Sequence, residues 1–353
     1  MAVVRIDYTH VGRRASGIER ITTAQFNGAA LSPLDVRPFN ASGNRLQIMA
    51  AQMIGLPACA LGHRSDIFVF PGFPPSPYFA FTPDRSVLYV HDLFLLTRRP
   101  DLNRAAKYYM APLFAMAVNR FRYFLTNSQD TARQLRGRCH PGATIIPYRP
   151  RIDNVFGLAV GDRAARPAKP PALRVLSIGT IEPRKNFIAA ADICAALAAR
   201  TGRPVEYHII GRIGWGGDAE VLRQRPNVVL HGFLDDAQAR SVIESADILL
   251  CTSHAEGLGL PLIEAQYCGI PVVAPQGDVF SEVLGASGLF IDTASPEQAA
   301  ERVAEAISDD AWRSRFVAAS TANVSRWNAT ADSDRAAVVA FLSRLGGTAG
   351  GLH

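Results

Sequence analysis

Short apolar runs recur along this chain and alternate with stretches of helical period. In the first half they are Val3–Tyr8, Ile67–Pro71, Val87–Val90, Phe121–Thr126 and Thr144–Pro147. In the second half they are Arg174–Ile178, Val205–Ile210, Val228–Leu230, Ile248–Cys251, Pro271–Ala274 and Leu289–Ile291. Runs of this length read as buried strands, and strands alternating with helices predict parallel sheets built from βα units. Two such series predict an α/β chain of two Rossmann-like, doubly wound domains. The segment Val160 to Ala172 is rich in proline and small residues and has no hydrophobic period, as befits a linker. The boundary is drawn there, giving domains over 1–168 and 169–330. The tail, 331–345, sets Ala337, Val338, Ala340, Phe341 and Leu345 opposite Arg335 and Arg344, which predicts an amphipathic helix.

Composition agrees with two ordinary folded domains: 353 residues, 48% hydrophobic and 19% charged. The net charge of +6 hides an asymmetry, +12 over 1–170 against −6 over 171–353. A basic half suits nucleic acid, an anionic membrane or a phosphorylated substrate, or is simply a solvated surface. No basic tail, zinc spacing or RNA-binding motif supports nucleic acid. The N-terminus runs straight into the first strand without a signal peptide, and no stretch is long and apolar enough to span a bilayer. Five scattered cysteines without metal spacing suggest reduced thiols and no metal site. The expected location is therefore cytoplasmic, with the inner face of the cytoplasmic membrane as a peripheral alternative. The segment 105–118, with Arg98, Arg99, Arg104 and Lys107 before it and Arg120 and Arg122 after it, reads as a core helix kinked at Pro112, with a membrane-surface helix as its alternative.

The densest chemistry lies between Thr252 and Val273. There Glu256 and Glu264 stand eight residues apart around the turn Gly-Leu-Gly-Leu-Pro, between a strand and a helix expected over 261–268. A helix N-terminus offers backbone N–H groups and a positive dipole end to a phosphate. Glu264, one turn in, can accept hydrogen bonds from a diol such as a ribose. The pattern is that of a nucleotide site.

These residues resemble the E-x7-E signature of the retaining GT-B glycosyltransferases (glycosyltransferase family 4-like). Ser177-Ile-Gly-Thr-Ile-Glu-Pro-Arg-Lys-Asn186 is similar to that family's strand, glycine turn and phosphate-binding segment. His231-Gly-Phe-Leu-Asp-Asp236, with Phe233, resembles the loop that frames the base; Gly17-Ile-Glu-Arg20 and Tyr89-Val-His-Asp-Leu93 resemble the N-terminal glycine loop and the active-site histidine. The resemblance implies two domains facing a central cleft, the first binding the acceptor and carrying the terminal helix 331–345, the second binding the donor. It implies that Lys185 and Arg184, after the Gly179 turn, meet the donor diphosphate. Backbone N–H groups of Leu258, Gly259 and Leu260 would add donors, Glu264 would hold the ribose, Glu256 would lie near the sugar or its phosphate, and Gly17 would let its loop approach the diphosphate. His91 would contact the donor sugar, and Ser128 would line the acceptor side. Many members place an arginine where Thr180 stands, so Arg184 or Arg212 is expected to supply the second cation.

The implied activity is metal-independent, retaining hexosyl transfer without a cofactor beyond the nucleotide-sugar co-substrate. The motif variants look most like bacterial mannosyltransferases of polysaccharide and lipopolysaccharide assembly, which puts GDP-mannose first among donors and UDP- or dTDP-sugars next. The acceptor would be a saccharide or lipid-linked saccharide. The alternatives are an epimerase or phosphorylase on the same fold, or an inactive membrane-docking subunit. Asp332-Ser-Asp334 matches the D-x-D of metal-dependent glycosyltransferases, but its place in the terminal helix makes that a coincidence.

Overall fold

The computed structural model describes residues 3–12, 17–98, 102, 104–158, 160, 166–167 and 170–349. Arg99 and residues 161–165, 168 and 169 of the proline-rich linker lie outside the described residues. Contacts gather the chain into two compact units, residues 1–151 with 329–353, and residues 152–328. The change of unit at Ile152 precedes the compositional boundary at residue 168. Ile152 and Leu158 are apolar residues buried in the core of the second unit, so the stretch just before the linker packs with that unit.

In the first unit, strands β1 (Val4–Asp7), β2 (Val36–Phe39), β3 (Ile67–Phe70), β4 (Ser86–Val90), β5 (Tyr123–Thr126) and β6 (Thr144–Pro147) form a sheet in the order β2-β1-β3-β4-β5-β6. Every pairing is parallel. Five of these strands follow from the apolar runs, and β2 does not. Its sequence, Val-Arg-Pro-Phe, is half-exposed and carries a proline, which a sheet tolerates at an edge, where β2 lies. One face of the sheet presents Phe68, Phe70, Leu88, Val90 and Phe124 to helices Leu56–Gly62 and Ala111–Arg120, through Leu56, Ala60, Phe114 and Ala117. The segment 105–118 is thus core-packed. Pro112 opens its α-helical part, directly after a π-helical turn at Ala106–Met110 that takes up the irregularity.

The second unit repeats the plan with β7 (Leu173–Ile178), β8 (Val205–Ile210), β9 (Val228–Gly232), β10 (Ile248–Leu250), β11 (Val272–Pro275) and β12 (Leu289–Ile291), in the order β12-β11-β10-β7-β8-β9. Strand residues alternate between two cores, as the period of two requires. Val175, Ile248, Leu250 and Val273 pack with helices Phe187–Thr201 and Pro296–Ala306. Leu176, Leu249, Val272 and Ala274 pack with helices Leu260–Tyr267 and Asp278–Leu284. Because both faces are covered, the strands read as continuous apolar runs.

The expected terminal helix is the end of a longer one, Trp312–Ala349. Through Asn328 its residues belong to the second unit, where Trp312 and Trp327 are buried; from Ala329 they belong to the first. In the first unit its buried stripe is Ala331, Val338, Leu342 and Leu345, while Ala337 and Ala340, expected on that face, are exposed. Asp332 and Asp334 pair with Arg151 and Arg149, each at 2.6 Å, and so act as structural anchors for this helix.

Candidate functional site

In the second sheet the chain leaves β7 toward β8 on one side and returns to β10 on the other, so the loops after β7 and β10 diverge across a switch point. Ligands of open α/β sheets bind there, outside the carboxyl ends of the strands. The loop after β7 holds Gly179, Arg184 and Lys185, and the loop after β10 holds Glu256. Two backbone approaches shape this end. A Cβ at Gly211, after β8, would fall 1.8 Å from the carbonyl oxygen of Gly179, so only glycine lets these loops pass. Gly259 precedes helix Leu260–Tyr267 at φ +79°, the left-handed region open to glycine.

The two loops are sewn together. Thr252 Oγ1 donates to the carbonyls of Lys185 and Asn186 at 3.1 and 2.8 Å, and the His254 amide donates to the Arg184 carbonyl at 2.9 Å. Between them lies a cluster of two cations and two carboxylates. Lys185 Nζ stands 2.7 Å from Glu256 Oε1, and an Arg184 guanidinium nitrogen 3.2 Å from Glu256 Oε2. Arg184 also reaches Glu182 at 2.7 Å and donates to the Ala255 carbonyl at 2.6 Å. Burial alone would raise the Glu256 pKa, but Lys185 and Arg184 outweigh it and hold the carboxyl below its ordinary value. For Arg184, burial opposes the charge, yet Glu256 and Glu182 raise its pKa. Glu256 and Arg184 are therefore both ionised at neutral pH. Lys185 also lies against the backbone of Gly179, where a Cβ would come within 3.1 Å of Lys185 Cε.

Lys185, Glu256 and Gly259 thus line one crevice with Ser177, Ser253 and Pro261, and Arg184 and Gly179 adjoin it through Glu256 and Lys185. Leu258 is buried in the core below, Leu260 opens the helix, and Glu264 is buried on that helix. Phe233, after β9, faces outward, 61% exposed, with the Arg212 guanidinium 4.4 Å from its ring centroid. Arg212 therefore stacks on Phe233, and Arg184 is the cation beside Lys185.

Gly17, His91 and Ser128 belong to the first unit. Gly17 begins helix Gly17–Gln25, and residues 13–16 before it lie outside the described residues. Ser128 is fully buried and caps helix Gln129–Arg136 through the Thr131 amide, so it is a capping residue rather than a lining one. His91, after β4, places Nε2 2.6 Å from the Pro71 carbonyl, which can only accept, so Nε2 carries the proton. Burial lowers its pKa to about 4, against a smaller opposing effect of that hydrogen bond. The ring is neutral at pH 7, with Nδ1 as an acceptor.

Sequence reasoning missed the polar groups around it. Asp7 ends β1, and burial raises its carboxyl pKa to about 6 despite hydrogen bonds from Thr9. His10 follows, 3.0 Å from Thr22 Oγ1, with a pKa lowered to about 4 by burial and by the nearby His91. Among the described residues, His10 Nδ1, Ser76 Oγ, Tyr109 Oη and Asn127 Oδ1 of the first unit and Ser320 Oγ of the second are buried without a hydrogen-bond partner. Asn127 is tied to the same place, its amide donating to the His91 carbonyl at 2.8 Å. Orphaned buried polar atoms are costly, and each calls for a partner such as a water, an ion or a polar ligand. The available signal was a run of polar residues, Asp7 to His10, directly after a strand.

Comparison with known proteins bears on both units. Residues 162–322 match the family described as "Glycosyl transferases group 1". The O-antigen chain mannosyltransferase B of Escherichia coli is 31% identical over 145 residues, 39% of this chain and 38% of the relative. The D-inositol 3-phosphate glycosyltransferase of Segniliparus rotundus is 30% identical over 209 residues, 54% of this chain and 44% of the relative. The matched part thus spans less than half the length of these relatives. Among solved structures, WaaG, a glycosyltransferase involved in lipopolysaccharide biosynthesis, superposes with a TM-score of 0.64 at 16% identity, over 96% of this chain and 99% of that one. The sucrose-phosphate synthase of Thermosynechococcus elongatus gives 0.73 at 13% identity, over 99% and 100%. Likeness at such identity speaks to the fold, which is GT-B.

Proposed function

We propose that this chain, whose residues 162–322 are a glycosyltransferase group 1 domain, transfers a hexose from a nucleotide sugar to a saccharide or lipid-linked saccharide, with retention and without a metal. One observation carries the reading: Lys185 and Arg184 converge on Glu256 at the switch point of the second sheet. Two cations at the carboxyl ends of parallel strands, beside a helix N-terminus, suit a diphosphate. Glu264, on that helix, would take the ribose hydroxyls. Mannose from GDP-mannose is the first donor to test, because a relative named as a mannosyltransferase matches 39% of this chain at 31% identity.

In the reaction, a bond forms from an acceptor hydroxyl oxygen to the anomeric carbon as the bond to the diphosphate oxygen breaks. The hydroxyl proton passes to the departing phosphate on the same face, so the configuration is retained and no protein nucleophile is needed. Lys185, Arg184 and the amides around Gly259 would stabilise the charge that develops on the diphosphate. Neutral His91 would accept a hydrogen bond from a hydroxyl of the transferred sugar. The orphaned polar atoms of His10, Ser76, Tyr109 and Asn127 favour a hydroxyl-rich acceptor on the first unit. The test is a thermal-shift panel of GDP-, UDP-, dTDP- and ADP-sugars, since a ligand of the native state raises its melting temperature. NMR of the product made from the stabilising donor then reads the anomeric configuration. Stabilisation by GDP-mannose and an α-linked product support the reading; no stabilisation by any donor, or an inverted product, overturns it.

A further inference from the structure

The helical segment from Arg45 to Gly62, an α-helix at Arg45–Ala50, a π-helical turn at Ala51–Gly55 and an α-helix at Leu56–Gly62, runs on without a break in the first unit. Its inner face is ordinary: Ile48, Gln52, Leu56 and Ala60 are buried at a spacing of four. Its outer face is not. A surface helix of a globular protein carries charge there, as helix Pro296–Ala306 does with Glu297, Arg302 and Glu305. Between Arg45 and His63 there is no charged residue at all. Leu46 is 74% exposed, Ile54 69% and Leu61 55%.

The patch extends past the helix. Arg85 donates to the carbonyls of Ala60 and His63, both at 2.9 Å, which fixes the segment before it against the helix end. That segment, the 3₁₀ turn Pro77–Phe81, buries Phe79 and leaves Phe81 84% exposed. Exposed Arg45 and Arg64 flank the patch at its two ends. The only acidic residue from 36 to 83 is Asp66, buried and paired with Arg5 at 2.6 Å. An apolar helix face flanked by arginines, with the exposed carboxylates Asp35 and Asp84 beyond it each paired with an arginine, suits a helix lying in a membrane interface. A symmetric contact with a second copy would instead set this basic border against itself.

We propose that the outer face of the segment Arg45–Gly62, together with Phe81, seats this chain on an anionic phospholipid bilayer. The apolar side chains enter the boundary between headgroups and acyl chains, and Arg45 and Arg64 meet lipid phosphates. The inference rests on this surface alone and holds whether or not the second unit transfers a sugar.

The test is flotation of the full chain with vesicles of phosphatidylcholine, with and without phosphatidylglycerol, alongside light scattering of the free protein. Wild type should float with the anionic vesicles and much less with the neutral ones. Ile54→Glu/Leu61→Glu, at exposed positions, should lower the partition coefficient about tenfold or more at an unchanged melting temperature. Arg45→Glu/Arg64→Glu, as a second and milder variant, should lose the preference for anionic lipid. The proposal is overturned if wild type floats with neither lipid, or if both variants float as wild type does. It is also overturned if the apolar variant turns a dimer into a monomer while wild type ignores vesicles, which would make the face a contact between copies.

Discussion

Lys185 Nζ lies 2.7 Å from Glu256 Oε1, a contact between loops 71 residues apart in the chain. In the free protein the lysine read as a diphosphate ligand is already occupied by a carboxylate. On the proposed reading Glu256 is a stand-in for the anion, holding both cations in place, and a bound diphosphate would displace it from Lys185. Once displaced, Glu256 is available to hydroxyls of the donor sugar.

Glu256→Gln should therefore separate binding from turnover. Removing one partner of a mostly buried pair should lower the stability of the free protein by about 2–4 kcal/mol. Affinity for a nucleoside diphosphate should hold or rise while transfer slows. Calorimetry and initial rates check this, and weaker diphosphate binding in a folded variant counts against the displacement idea. The folded-state pKa of Glu256 is depressed, so its stabilisation is present above the unfolded value near 4.5 and is lost as pH falls through the lower folded value. Glu256→Gln should accordingly show a flatter stability profile than wild type below that pH.

Asp7 has the opposite sign. Its folded pKa, about 6, exceeds the ordinary 3.8, so its contribution is present below pH 4 and is lost as pH rises through 6. Asp7→Asn keeps an acceptor for the Thr9 amide and should stabilise the protein at pH 7 by about 1–3 kcal/mol. Urea unfolding at pH 5 and 7 reads the difference. For His10, lowered to about 4 from 6.5, stability is present above 6.5 and is lost as pH falls through 4, so His10→Gln should reduce acid sensitivity in that window.

Much of this fold was legible in the sequence. Strands β6, β8 and β12 match their apolar runs to the residue, because each run is short and bounded by polar or turn-forming residues. Strand β2 was not, since an edge strand with Arg37 and Pro38 carries no such run. The donor-side residues stood out as types in a motif, but the pairing of Lys185 and Arg184 with Glu256 is a tertiary fact that spacing does not encode. The polar cluster of the first unit was hidden for the same reason. Its members come from β1, the loop after β3, the turn at Ala106–Met110 and the end of β5, none close in sequence. The outward apolar face of Arg45–Gly62 was hidden because a helix with apolar residues on both faces shows no amphipathic period.

Glu264→Gln keeps the volume of a buried side chain and removes its charge. One or two charge-assisted hydrogen bonds to a ribose, each worth about 1.5–3 kcal/mol against about 1 for neutral ones, should weaken nucleotide affinity about tenfold. Calorimetry with the nucleoside diphosphate and with inorganic pyrophosphate separates the effects. Only the nucleoside should lose affinity; an equal loss for both, or none for either, removes the ribose assignment.

Transfer should persist in EDTA, because Lys185, Arg184 and backbone amides supply the positive charge that a divalent ion provides elsewhere. A rate in chelator within about twofold of the untreated rate is expected, where removal of a Lewis acid would cost several kcal/mol. Loss of activity restored by manganese or magnesium would show that the site needs a metal.

The central claim is that Lys185 binds the diphosphate of a nucleotide sugar, and calorimetric titration of GDP into wild type and Lys185→Ala in chelator tests it most directly. A lost charge-assisted contact of about 1.5–3 kcal/mol predicts affinity roughly ten- to a hundredfold weaker in the variant, with the native fold kept by circular dichroism. Equal affinity in the two proteins would contradict the account.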